Sequence, residues 1–158
     1  MPITVDVKTL PPFTAACLSH LGPMDDIAET LREALDHAAR DGLVAADTRP
    51  VRLCLDVMRQ GTPGPRHFDA GVTIAEGTTD TGTLRRTAVR GGTYAVALHR
   101  GPYGGIGRTY RWLLESWLPD SGYALRPGPG VEVYLNDLRT TGEADLLTEI
   151  RLPLRPAA

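Results

Sequence analysis

The chain has 158 residues, of which 42% are hydrophobic and 23% charged, and its 17 basic and 19 acidic residues leave a net charge of −2. This composition is typical of a folded globular protein and excludes extensive disorder, and the net charge offers no bulk positive field for a nucleic acid backbone. We see no apolar run as long as a membrane span, no secretory signal, and only two cysteines, too few for a disulfide framework. We therefore expect one cytoplasmic domain over residues 1–158, with reduced cysteines and no membrane segment.

The first half of the chain predicts a strand, a helix and two further strands. A strand at 12–21 precedes an amphipathic helix at 24–40, in which apolar residues recur every three or four positions. Gly42 fits a C-terminal helix stop. Strands at 51–58 and 71–75 follow, and the loop between them is rich in glycine and proline.

The second half predicts the same order of elements. A strand at 92–100 leads into an amphipathic helix at 103–119, and strands at 131–136 and 147–152 follow. A loop at 76–83, rich in turn-forming residues, is the natural joint between the two halves.

The order of elements recurs because the chain repeats its own sequence. Residues 14–23 align with residues 93–102 at an offset of 79, with identical residues at five of ten positions. Neither half, at about 75 residues, would comfortably bury its apolar faces alone. We therefore predict an α+β domain made of two strand-helix-strand-strand repeats, about 1–78 and about 83–155, which share one antiparallel sheet with two long helices. Such a pairing leaves a central cleft on the pseudo-twofold axis, a usual place for a ligand.

Several catalytic and metal-binding motifs are absent. The glycine-rich segment 101–109 lacks the lysine of a phosphate-binding loop, and the chain has no serine-hydrolase elbow. Cys17 and His20 fall on opposite faces of a strand, and no second Cys/His pair completes a zinc site. His20 and His99 occupy equivalent repeat positions, which favours a shared structural role. We expect neither a metal nor a cofactor.

The strand at 131–136 carries a carboxylate whose surroundings decide its role. Alternation places Glu132 and Tyr134 on one face and three apolar residues on the other. If the polar face meets solvent, this is an ordinary half-buried strand. If it faces the cleft, Glu132 is either protonated or able to bind a cationic ligand, since burying an unpaired carboxylate costs free energy. The aromatic residues near the second helix that could frame it are Tyr103, Tyr110 and Trp112.

Four segments in order carry a resemblance to a known family: residues 93–103, 117–123, 132–137 and 148–154. Together they resemble the GyrI-like effector-binding family, a small-molecule-binding domain that is also fused to AraC-type and MerR-type regulators. The resemblance spans nearly the whole chain, because residues 12–75 are similar to the family's first repeat. It implies the duplicated fold and a central pocket for bulky, often cationic or aromatic, compounds.

The resemblance also implies site residues. It assigns the family's pocket glutamate to Glu132, and it implies ligand contacts from Tyr134, Tyr110, Tyr103 and Trp112. The function implied is stand-alone binding of a drug-like or toxic small molecule for sensing, sequestration or resistance, with Glu132 as the counter-charge.

Two other functions remain open at this point. Some family members hydrolyse cyclopropane-bearing genotoxic compounds, and Glu132, with a pKa raised by its apolar pocket, would then activate water while Tyr134 donates to the oxyanion. A topoisomerase-inhibiting role is the weaker alternative. Because the two repeats use the whole chain and leave no helix-turn-helix, we expect no direct DNA binding, and no protein partner can be named.

Overall fold

The computed structural model describes residues 3–22, 27–55 and 66–157. Within these residues nine segments are β-strands: β1 (Val5–Leu10), β2 (Phe13–Gly22), β3 (Pro50–Cys54), β4 (Arg66–Ile74), β5 (Arg85–Val89), β6 (Gly92–Arg100), β7 (Tyr123–Leu125), β8 (Gly130–Tyr134) and β9 (Leu147–Pro156). The strands predicted in each half are confirmed with their ends shifted by up to about five residues, and residues 56–58 of the predicted strand 51–58 lie outside the described residues. Three strands were not predicted, namely β1, β5 and β7.

Two helical stretches accompany the strands. The first, α1 (Ile27–Arg40), buries the apolar stripe that the periodicity predicted, and residues 24–26 of the predicted helix lie outside the described residues. The second contains α2 (Ile106–Trp112), which follows a 3-10 turn (Tyr103–Gly105) and continues through a π turn (Leu113–Trp117) and a 3-10 turn (Leu118–Asp120). The helical stretch therefore runs from 103 to 120, one residue longer than the predicted 103–119.

Eight strands form one antiparallel sheet in the order β1-β6-β9-β8-β3-β4-β2-β5, and β7 pairs with the end of β9. This is the predicted α+β architecture with an antiparallel sheet. The order is mirrored about its centre, because β8, β9 and β6 of the second half match β3, β4 and β2 of the first. The division into repeats at about 1–78 and about 83–155 stays a prediction.

The sheet curls strongly. In a flat sheet, six strand spacings would separate β1 from β2, or about 29 Å. Only residues 11 and 12 join these two strands, and such a link spans about 11 Å at most. The link from β5 to β6 is equally short. The two links touch, since a Cβ on Gly91 would lie 2.8 Å from the Leu10 carbonyl oxygen and the Pro12 nitrogen.

The curl gives the sheet two buried faces. On the convex side, both helices cover the largest apolar cluster, which includes Ile27, Ile106 and Tyr110. On the concave side, a second cluster is buried with none of the described helices over it: Ala15, Cys17, Val51, Leu53, Val89, Val131 and Val133. None of the helices among the described residues is long and apolar enough to cross a membrane.

Candidate functional site

Glu132 lies at the centre of the sheet, on the side that the helices cover. In β8 it stands directly opposite Arg52 of β3, because these strands pair in that register. Both residues are fully buried. Tyr134 packs in the helix-side cluster, whereas Val131 and Val133 belong to the concave cluster, as the predicted alternation requires. Glu132 is therefore not an exposed residue of a half-buried strand.

Four side chains hold the Glu132 carboxylate. Arg52 makes a bidentate ion pair, donating from Nε to Oε1 at 2.9 Å and from Nη2 to Oε2 at 2.5 Å. The Tyr134 hydroxyl donates to Oε1, and the Tyr110 hydroxyl donates from α2 to Oε2 at 3.0 Å. The Cys54 thiol lies 3.1 Å from Oε2. Strands β3 and β8 and helix α2 thus converge on one carboxylate, which we call the Glu132 network.

Glu132 is ionised in this environment. Burial alone would raise the pKa of Glu132, but the charge of Arg52 and hydrogen bonds from Arg52, Tyr134 and Cys54 outweigh it and hold the pKa below its ordinary value. The expected raised pKa is therefore wrong. That expectation assumed an apolar pocket without a cation, whereas Arg52 lies beside the carboxylate in the structure.

Arg52 is the functional residue that the sequence reasoning missed. Its guanidinium carbon lies 5.0 Å from the centre of the Phe68 ring, which in turn stacks on His20 at 5.4 Å. A sequence signal existed, because the alternation of residues 51–54 places Arg52 and Cys54 on the face opposite two apolar residues. What the pattern lacked was the β3–β8 register that brings Arg52 to Glu132.

The predicted aromatic residues are divided between two places. Tyr110 and Tyr134 belong to the Glu132 network, and burial raises the pKa of both far above the ordinary value. Tyr103 meets Tyr134 edge to face, with ring centres 5.3 Å apart. Trp112 is half-buried and lines a separate groove, whose lining includes none of the four side chains that hold Glu132.

The Tyr103 hydroxyl is buried and has no hydrogen-bond partner among the residues that the structure describes. Burial raises the pKa of Tyr103 to about 12, so the hydroxyl keeps its proton at neutral pH. It is therefore a donor available to a ligand that reaches Tyr134.

A cavity of about 200 Å³ lies beside the network. Tyr134 forms part of its wall, and the other lining residues combine apolar side chains with a few charged ones: Leu35, Val44, Thr48, Arg49, Pro50, Leu135, Asn136, Asp137, Leu138 and Arg139. Across residues 3–22, 27–55 and 66–157, no three His, Cys, Asp or Glu side chains gather closely enough to hold a metal ion.

Neither cysteine should react with a thiol reagent in the folded protein. Both thiols are free and buried, and burial raises the pKa of Cys17 to about 12 and that of Cys54 further. Labelling with Ellman's reagent at pH 8 should therefore give no product under native conditions and two thiols per chain in denaturant. Rapid labelling of the native protein would contradict the burial of Cys54 in the Glu132 network.

Two curated relatives match parts of the chain. A DNA gyrase inhibitor of Erwinia billingiae (strain Eb661) is 36% identical over 73 residues, 46% of each chain. The probable transcriptional regulator YgiV of Escherichia coli (strain K12) is 38% identical over 64 residues, 40% of each chain. The matched segments therefore span less than half the length of these relatives.

Solved structures share the fold over nearly the whole chain. The C-terminal domain of EcmrR superposes with a TM-score of 0.83 at 17% identity, covering 99% of this chain and 100% of that one. A hydrolase encoded by lin2189 of Listeria innocua has a TM-score of 0.65 at 13% identity and coverages of 96% and 91%. SAV2435 bound to tetraphenylphosphonium has a TM-score of 0.65 at 12% identity and coverages of 96% and 94%.

The model of one protein family covers almost the full chain. Residues 3–155 match the GyrI-like small molecule binding domain, the family that the ordered motifs resemble. The fold of the solved structures agrees with this assignment. The chain belongs to the family of GyrI-like small molecule binding domains.

Proposed function

We propose that this chain binds bulky hydrophobic small molecules, cationic and aromatic ones in particular, beside the Glu132 network. One observation carries the proposal: Tyr134 both donates to the Glu132 carboxylate and lines the neighbouring cavity. A ligand in that cavity would therefore contact a residue that the buried charge holds in place. Membership of a small-molecule-binding family supports the same assignment.

The chemistry of the network supports ligand binding more than a purely structural role. A buried ion pair contributes little net stability compared with apolar residues of similar size, because desolvation offsets most of the attraction. In this chain, two tyrosine hydroxyls and a thiol are added to an ion pair that already gives each carboxylate oxygen one donor. Such an arrangement fixes the positions of Tyr110 and Tyr134 and so preforms an aromatic wall.

The cavity limits how a ligand can bind. A drug-sized ligand needs about 300–1,000 Å³, whereas the cavity measures about 200 Å³. Binding therefore requires one wall to move. The coil at 44–48 supplies Val44 and Thr48 to that wall, and Val44 is 53% exposed, so this segment can shift while Leu43 keeps its packing against the buried cluster around Ala38.

The hydrolase alternative has less support from the geometry. A general base must be available to water and works best with a pKa near the operating pH. The pKa of Glu132 is lowered, and both of its oxygens already accept hydrogen bonds. The hydrolase structure from Listeria innocua shares the fold at 13% identity, and this identity is too low to transfer the role of any residue to this chain. The topoisomerase-inhibiting role and the absence of direct DNA binding stay predictions.

Titration calorimetry with two ligands of similar size tests the proposal. Tetraphenylphosphonium, the compound bound to SAV2435, is the cation, and triphenylphosphine oxide is the neutral control. Wild type should bind both. Glu132→Gln should weaken the cation by about tenfold or more, because the buried Arg52 charge is then uncompensated beside the cavity and repels it, and the neutral ligand by only about threefold or less.

The double variant Arg52→Gln/Glu132→Gln is the matched control, because it removes both charges and leaves no unpaired arginine. Because the net charge beside the cavity is then the same as in wild type, its affinity for both ligands should approach that of wild type. Equal weakening of both ligands would contradict a charge role for Glu132, and no binding of either would contradict the proposed function. Incubation with a cyclopropane-bearing alkylator should return the compound at unchanged mass; a gain of one water with turnover would favour hydrolysis.

A further inference from the structure

A larger groove lies at the edge of the sheet, away from the Glu132 network. It has a volume of about 680 Å³ and runs between the N-terminal end of β1 and the start of the second helical stretch. Its lining residues are Ile3, Thr4, Leu98, His99, Arg100, Pro102, Gly105, Arg108, Thr109 and Trp112. The volume falls within the range of about 300–1,000 Å³ that small-molecule sites occupy.

The groove carries positive charge without acidic residues in its lining. Arg108 makes no hydrogen bond or ion pair with any residue that the structure describes. Arg100 approaches Asp145 at 4.0 Å, but both side chains are more than half exposed, so that pair neutralises little of its charge. Two guanidinium groups thus face one groove on a chain whose net charge is −2.

The same groove offers an apolar surface. Leu98 is 47% exposed, Trp112 is half-buried, and Ile3 lies across from them at the end of the edge strand. A large exposed aliphatic side chain beside a partly covered indole suits the body of an aromatic ligand. The groove therefore combines apolar walls with cationic groups at one end.

The cationic end is held in place by His99. Its Nε2 lies 3.0 Å from the Pro102 carbonyl oxygen, which can only accept, so Nε2 donates there, and its Nδ1 lies 2.9 Å from the Thr109 hydroxyl. Gly105 lets the His99 ring approach the helix closely, and Arg108 lies at ordinary contact distance from the same point. A Cβ at Gly105 would lie 3.0 Å from His99 Cε1 and 3.5 Å from Arg108 Nη2.

We propose that this groove binds a small amphipathic anion, an aromatic carboxylate or sulfonate, with Arg108 and Arg100 holding the acidic group and Trp112 packing against the aromatic body. Guanidinium groups pair strongly with such oxyanions and can do so bidentately. The site is independent of the Glu132 network and takes ligands of opposite charge. The chain then has two sites, one for hydrophobic cations and one for hydrophobic anions.

The probe is 8-anilinonaphthalene-1-sulfonate, and the readout is the indole N–H signal in nitrogen-15 NMR spectra. The chain has two tryptophans, so two indole signals exist, and Trp112→Phe and Trp117→Phe assign them. The probe should shift the Trp112 signal in a saturable manner. Arg108→Gln should weaken this binding by about five- to tenfold, while Arg111→Gln, on the same helix but outside the groove lining, should leave it unchanged.

Competition separates this site from the Glu132 site. Excess tetraphenylphosphonium should leave the Trp112 shift in place, and Arg108→Gln should leave tetraphenylphosphonium affinity unchanged. The proposal is overturned if Arg108→Gln binds the probe as wild type does, if only the Trp117 signal moves, or if tetraphenylphosphonium displaces the probe. The first two outcomes do not bear on whether the Glu132 site binds cations, whereas displacement would indicate that tetraphenylphosphonium itself binds in this groove.

Discussion

Glu132→Gln is expected to lower the free energy of unfolding by about 3–5 kcal/mol, a large share of the about 5–15 kcal/mol typical of a single domain. The change keeps the shape of the side chain and removes its charge. Arg52 is fully buried and would lose the carboxylate that neutralises it. Urea unfolding followed by circular dichroism measures the loss.

Two comparisons identify the unpaired charge as the cause. Arg52→Gln/Glu132→Gln leaves no unpaired ion and should lose less free energy than Glu132→Gln alone. Glu149→Gln also breaks an ion pair on the sheet, with Arg151, but that pair is partly exposed and its loss should cost less than about 1 kcal/mol. A double variant less stable than Glu132→Gln would contradict this explanation.

The same variant should change the pH dependence of stability. The pKa of Glu132 is lowered in the folded protein, so its ionisation stabilises the fold above the unfolded value of about 4.5. That contribution declines as the pH falls towards the lower folded-state pKa. Wild type should therefore lose stability below about pH 4.5 more steeply than Glu132→Gln. Parallel acid profiles would mean that Glu132 is not held ionised.

The parts of the fold that the sequence predicted share strong patterning. In α1 the buried residues recur with the helical period, and in β8 apolar residues alternate with Glu132 and Tyr134 although both faces of the strand are buried. The edge strand β1 is exposed along most of its length, and β5 begins with two arginines, so neither shows such a period. Partners in the sheet, and not the local pattern, determine these strands.

The site was predictable from one strand but not across two. Alternation placed Glu132 and Tyr134 on one face, since parity along a strand is a local property. The pairing of Arg52 with Glu132 depends on the β3–β8 register, which joins residues 80 positions apart. The helical turn that brings Tyr110 to Glu132 is likewise a tertiary contact. A buried carboxylate needs a cationic partner, but only the order and register of the strands show that this partner is Arg52.

The curl of the sheet connects the site to the rest of the fold. Because the edges of the sheet curl towards each other on the concave side, β3 and β8 lie at the crest of the convex side, where both helices can pack. The Arg52 guanidinium also lies over the ring of Phe68 on β4, the strand next to β3. Changes that flatten the sheet should therefore disturb Arg52 even when they lie outside the Glu132 network.

Gly71→Ala tests this connection and should destabilise the protein by about 3 kcal/mol or more. A Cβ at Gly71 would lie 1.9 Å from the Ala16 carbonyl oxygen and 2.7 Å from Cys17 Cα, so the backbone of β2 or β4 must move. Gly104→Ala is the matched control, since its Cβ would meet open space and its stability should stay within about 0.5 kcal/mol of wild type. Urea unfolding of both variants gives the comparison.

Because β4 also carries Phe68, Gly71→Ala should weaken tetraphenylphosphonium binding at temperatures where the variant is still folded. A Gly71→Ala protein as stable as Gly104→Ala would show that β2 and β4 do not approach so closely at Gly71.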